Sequence, residues 1–208
     1  MTKGFYQLTS GILSQGRRLD VIGNNMTNLN TAGYKAETYT DRTFQEVLIS
    51  RVGNKDKSGA TVIGEESYIL APDQLYVNYS QGIMKDTGLT LDFAIQGDGF
   101  FAIQTDNGVE YTRSGSFCLN DQGQLTLAGH GTVLGTDGQP ITLGIDQIRA
   151  DRAGRLYAQE GGYLGQLGVY TFEDNAQLVK GESGLFQAGG QQAQLQEQPQ
   201  VMWKYVEE

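Results

Sequence analysis

The 208-residue chain is expected to be mostly β, with an N-terminal heptad-patterned α-helix followed by an antiparallel β domain with irregular connections. Three patterns lead there. Apolar residues recur on a 3-4 spacing over the first 30 positions, the period of a helix face. From about residue 68 the period becomes 2, the alternation of strands. Finally, 29 glycines stand against 3 prolines, about twice ordinary glycine usage, which predicts many tight turns. The length suits one large domain or two small ones.

The helix comes first, within a segment spanning residues 1–33. Phe5, Leu8, Ile12, Leu19, Ile22, Met26 and Leu29 occupy the a and d positions of a heptad, interrupted only by Gln15, and Val21 lies off the seam. The stripe is narrow. Its flanks carry Gly4, Gly11, Gly16 and Gly23, each costing about 1 kcal/mol relative to alanine inside a helix. Such a helix is expected to be weak alone and ordered by packing on other helices, although packing on the β domain is an equally simple reading. It should stop near Asn28–Gly33, with Gly33 as a left-handed C-terminal cap.

Residues 34–75 read as an extended connector with a hairpin-like loop. Phe44, Val47 and Leu48 fit either a helical turn or a strand, and Val52–Gly59 is a polar loop. The β domain is expected over 76–186, where short alternating runs are separated by turn clusters such as Asp106-Asn107-Gly108 and Asp137-Gly138. Its core should include Phe93, Ile95, Phe100, Ile103, Phe117, Leu125, Leu127, Val133 and Leu156. Residues 187–208 form a Gln-rich return segment in which Val201–Val206 resembles one more strand.

Charge and composition exclude several functions. The net charge is −9, which argues against nucleic acid as a partner. It is also uneven: residues 1–60 hold 8 Lys+Arg and 5 Asp+Glu, and the remainder 7 and 19. No apolar run approaches the ~20 residues of a direct membrane span, and the N-terminus lacks the apolar core of a cleaved signal. One Cys and one His cannot build an intrachain disulfide or a thiolate–imidazole zinc site. No cofactor or metal is therefore expected.

Individual candidates for chemistry are weak. Gly97-Asp98-Gly99 begins a sequence with the letters of a dinucleotide fingerprint, but a strand pattern follows where a helix is needed. His130 sits in a turn without a nucleophile elbow. Cys118 lies in a strand pattern and reads as a small buried hydrophobe. Asp121, Asp137, Glu173 and Asp174 suit turns better than a calcium loop. The sequence does not look like an enzyme. The rival readings are a carbohydrate-binding β module using some of the 11 tyrosines, or an envelope glycoside hydrolase using a pair among the 24 carboxylates.

Two segments carry a family resemblance. Gly23-Asn24-Asn25-Met26-Thr27-Asn28-Leu29-Asn30-Thr31-Ala32-Gly33-Tyr34-Lys35 resembles the ANNLANxxTxGYK signature of bacterial flagellar basal-body rod and hook proteins, with Gly23, Met26 and Thr27 as departures. Ala94–Phe101, then Tyr111-Thr112-Arg113-Ser114-Gly115-Ser116-Phe117 and Gly123-Gln124-Leu125, resembles the family's β core. The match runs to about residue 186, and its details look closer to the proximal-rod than to the distal-rod type.

The resemblance implies a structural subunit that polymerises into an axial tube required for motility, located in the flagellar basal body. It further implies passage through the flagellar export apparatus without a cleaved signal, with copies of itself and neighbouring rod or hook subunits as partners. Together with the heptad stripe it nominates an assembly interface of Phe5, Leu8, Ile12, Leu19, Ile22, Asn24, Asn25, Met26, Asn28, Leu29, Gly33 and Tyr34. The family's C-terminal helix would begin about where Glu207-Glu208 stand, so the sequence reads as truncated, and residues 1–30 are expected to fray for want of an intramolecular partner.

Overall fold

The computed structural model describes residues 2–51, 61–181 and 183–208. Helix α1 (Thr2–Thr27) precedes two long strands, β1 (Glu37–Arg51) and β2 (Thr61–Val77). Short strands follow: β3 (Met84–Asp86), β4 (Phe93–Ile95), β5 (Phe100–Thr105), β6 (Gly108–Thr112), β7 (Phe117–Leu119), β8 (Leu125–Leu127) and β9 (Gly131–Val133). Then come β10 (Ile148–Ala150), β11 (Arg155–Ala158), β12 (Tyr163–Gln166) and β13 (Val169–Thr171). A 3-10 turn at Asn175–Gln177 leads to β14 (Val179–Lys180), β15 (Phe186–Gln187), β16 (Gln194–Leu195), β17 (Val201–Trp203) and β18 (Tyr205–Glu207).

The chain forms two compact units, one of residues 1–27 with 36–78 and one of residues 28–35 with 79–208. In the first, no proline interrupts α1, and its glycines remain helical. Strands β1 and β2 pair antiparallel from Glu37↔Val77 to Arg51↔Thr61, with irregularities after Tyr39 and Ile49. The segment around Phe44, Val47 and Leu48 is therefore strand. The polar loop expected at 52–59 lies outside the described residues.

In the second unit the main sheet runs in the order β14-β15-β6-β5-β9-β8-β7, with β13 pairing both β5 and β16. A three-stranded sheet, β10-β11-β12, and the pairs β17-β4 and β18-β3 complete it. All pairings are antiparallel. All nine expected core residues are buried, and Phe101, Leu167, Val169 and Val201 join them. Phe101 packs edge-on against Phe117 at 5.3 Å, a favoured aromatic geometry.

Four expectations change. Cys118 is exposed, because it falls on the outward face of β7 between buried Phe117 and half-buried Leu119. Residues 201–206 are two strands, broken at Lys204. Gly33 is left-handed at φ 69° but lies six residues beyond the end of α1, so its task is not to cap that helix. A Cβ there would stand 2.1 Å from the Ser114 nitrogen, so glycine permits a close backbone approach. Finally, α1 has a partner within the chain: it packs on the β1–β2 ribbon.

Candidate assembly surface and the buried charge cluster

Helix α1 is amphipathic in the inverse sense. Its polar side is the one held inward. Ser14 is buried and its hydroxyl donates to Asp41 Oδ1 at 2.5 Å. Arg18 pairs with the other oxygen of Asp41 at 3.7 Å. The Asn25 side-chain amide donates to the Glu37 carbonyl at 2.7 Å and accepts the Glu37 N–H at 3.0 Å, closing a two-bond ring on the end of β1. These residues recur at 14, 18 and 25, with half-buried Val21 between them, which is a second helix-spaced stripe. Hydrogen bonding from Ser14 holds the Asp41 carboxyl below the usual range, and the charge of Arg18 acts in the same direction.

The apolar stripe faces away. Phe5, Leu8, Ile12, Leu19, Ile22 and Met26 are all more than half exposed, as is the adjacent Leu13, which the heptad spacing did not single out. A Cβ added at Gly11, Gly16 or Gly23 would meet nothing. Covering these side chains is worth on the order of 10 kcal/mol by area. An ordinary surface helix turns this face inward.

The remaining nominated residues are placed individually. Asn24 is exposed and Asn28 is half-buried. In the second unit, Leu29 is 75% exposed. Gly33 is buried, and its N–H donates to the Glu207 carbonyl at 2.7 Å. The Tyr34 ring lies under the Lys180 ammonium at 4.1 Å.

A cluster of buried charge lies beside Gly33. Glu207 Oε1 accepts from Lys35 Nζ at 2.5 Å and from the Gly82 N–H at 2.8 Å. Its other oxygen lies 3.5 Å from Arg113 Nη1. Lys35 also donates to the Ser80 carbonyl, and Arg113 to the carbonyls of Ile95 and Gly97. Burial pulls the Arg113 guanidinium below its ordinary range, against the opposing pull of Glu207 and Asp98. The cluster thus joins the segment after Gly33, the end of β6 and the last strand β18. One sequence signal pointed to it: Arg113 is the only Lys or Arg between residues 86 and 148.

Residues considered for chemistry do not assemble. After Gly97 and Gly99 comes strand β5, not a helix, so the fingerprint letters have no phosphate-facing helix end. His130 is exposed in a turn. Among the described residues no three His, Cys, Asp or Glu side chains could share a metal ion, and no helix is long and apolar enough to cross a membrane.

An N-terminal helix with its apolar stripe outward and an antiparallel β unit with a filled core define the class of protein. Comparison with known proteins narrows the class. Residues 94–185 match the family described as flagellar hook protein FlgE/F/G D1 domain, and residues 5–35 match the flagella basal body rod protein family. Similar proteins include the flagellar hook-basal body complex protein FlhO of Bacillus subtilis strain 168, 32% identical over 89% of this chain and 74% of that protein. Flagellar basal-body rod protein FlgG of the same strain is 33% identical over 89% of this chain and 73% of its own length. FlgF of Mesorhizobium japonicum is 34% identical over 90% and 73%. The chain belongs to the flagellar basal-body rod and hook protein family.

Proposed function

We propose that this protein is a structural subunit of the flagellar basal-body rod, and that the outward stripe of α1 is its axial assembly surface. One observation carries the reading: α1 is held through Ser14, Arg18 and Asn25, and so presents Leu8, Ile12, Leu19, Ile22 and Met26 to solvent. A seam of this width suits helices of neighbouring copies and adjoining rod or hook subunits. The flanking glycines allow those helices to approach closely. Leu29, in the second unit, is also exposed, whereas Gly33 serves internal packing. In the same reading the chain is delivered by the flagellar export apparatus. The protein does its work by association and not by catalysis, and family membership favours this over the carbohydrate-binding and glycosidase alternatives.

The test is complementation of a strain lacking the gene. Leu19→Asp places in the seam a charge that costs several kcal/mol once desolvated, while in the free chain position 19 is 67% exposed. The variant should fold normally and fail to restore rods or motility. Normal swimming would remove α1 from the assembly surface.

A further inference from the structure

Lys204 is the one non-glycine residue at positive φ among the described residues, at 68°. At fourteen other positive-φ positions the chain places glycine, because a Cβ is disfavoured there. The kink lets Trp203 pair with Phe93 in β4 while Tyr205 pairs with Asp86 in β3. Its backbone bonds, Lys204 N–H to the Asp92 carbonyl at 2.8 Å and Thr87 N–H to the Lys204 carbonyl at 2.9 Å, would serve glycine equally well. What distinguishes lysine is its side chain, whose ammonium lies 4.5 Å from the Trp203 ring centroid. Strain retained for a side chain is a mark of a working surface.

The surroundings fit that reading. Trp203 is fixed by an indole N–H bond to the Thr90 carbonyl at 2.8 Å, and its ring is a wall shared by two grooves. Arg149 and Lys204 line one, and Arg152 lines the other. Both arginines are exposed. The one carboxylate in these grooves, Asp151, already accepts the N–H groups of Ala153 and Arg155. Between residues 79 and 208 there are seven Lys and Arg against sixteen Asp and Glu. Of the seven, Arg113 pairs with Glu207 and Lys85 with Glu208, and Lys180 bonds the Lys35 carbonyl. Three of the other four cations therefore gather around one tryptophan.

We propose that this cationic, tryptophan-walled surface is a contact between copies of this chain, receiving the carboxylate-rich surface of the β unit of a neighbouring copy. The inference rests on the reading that the protein assembles with itself, and it adds a second interface to that of α1. Copies with so large an excess of carboxylates repel one another, and a compact group of cations beside an aromatic wall offsets the repulsion and fixes register.

Sedimentation velocity of the full chain over a concentration series, at low and high salt, tests it. Wild type should self-associate more strongly at low salt. Arg149→Glu with Arg152→Glu should weaken association by at least about tenfold and abolish its salt dependence. Lys204→Gly should melt at the same or a higher temperature, its strain relieved, and still associate about threefold more weakly. Leu19→Asp, measured in parallel, separates the interfaces. If it alone weakens association, the charged surface is overturned and the α1 seam stands. If only the charge variants do, the seam falls and this contact stands. Wild type without salt-sensitive association, or a Lys204→Gly chain that melts lower, overturns the proposal.

Discussion

Glu207 has the most demanding environment of any carboxylate described here. It is 2% exposed, bonded to Lys35 and the Gly82 N–H, and paired with Arg113. Removing one member of such a group leaves the others buried and uncompensated, which costs about 3–5 kcal/mol. Glu207→Gln should therefore lower stability in urea by about that amount with little change in the slope of the transition. Asp41 behaves differently, because its carboxyl is held low chiefly by the Ser14 hydroxyl and also by Arg18. A carboxyl lowered on folding stabilises the fold above its ordinary unfolded range, and that contribution disappears as pH falls through the lowered value. Protection of the α1 amides, measured against the unstructured chain at the same pH, should thus fall on acidification below the ordinary carboxylate range, and Asp41→Asn should flatten that dependence.

At the scale of the element, α1 shows what a single helix can encode. The 3-4 spacing of Phe5 to Met26 was sufficient to find the helix and its apolar face, since periodicity is a local property. Which face the chain itself covers was not legible. Ser14, Arg18 and Asn25 are ordinary polar residues until β1 brings Asp41 and the Glu37 backbone to them, and sequence spacing carries no record of that pairing. The same limit explains the kink at Lys204, where an alternating run from Val201 to Val206 hides a switch of pairing partner from β4 to β3. In contrast, nine core positions of the β unit were readable because Phe, Ile and Leu on alternating positions have few other places to go. Asn25→Ala deletes both bonds to Glu37 and should cost about 1–2 kcal/mol, read as faster amide exchange in the last turns of α1 with the β unit unchanged.

For the whole molecule, the β unit has a filled core while the apolar stripe of α1 is uncovered, and the proposed function has that stripe buried in the polymer. The direct measurement is thiol accessibility at position 19, using Leu19→Cys in a Cys118→Ser background so that the exposed native thiol does not report. Position 19 should react rapidly with a water-soluble maleimide in the free chain and be protected by two orders of magnitude or more, on the order of 3 kcal/mol, in isolated basal bodies. Equal reactivity in the two states would contradict burial of the stripe.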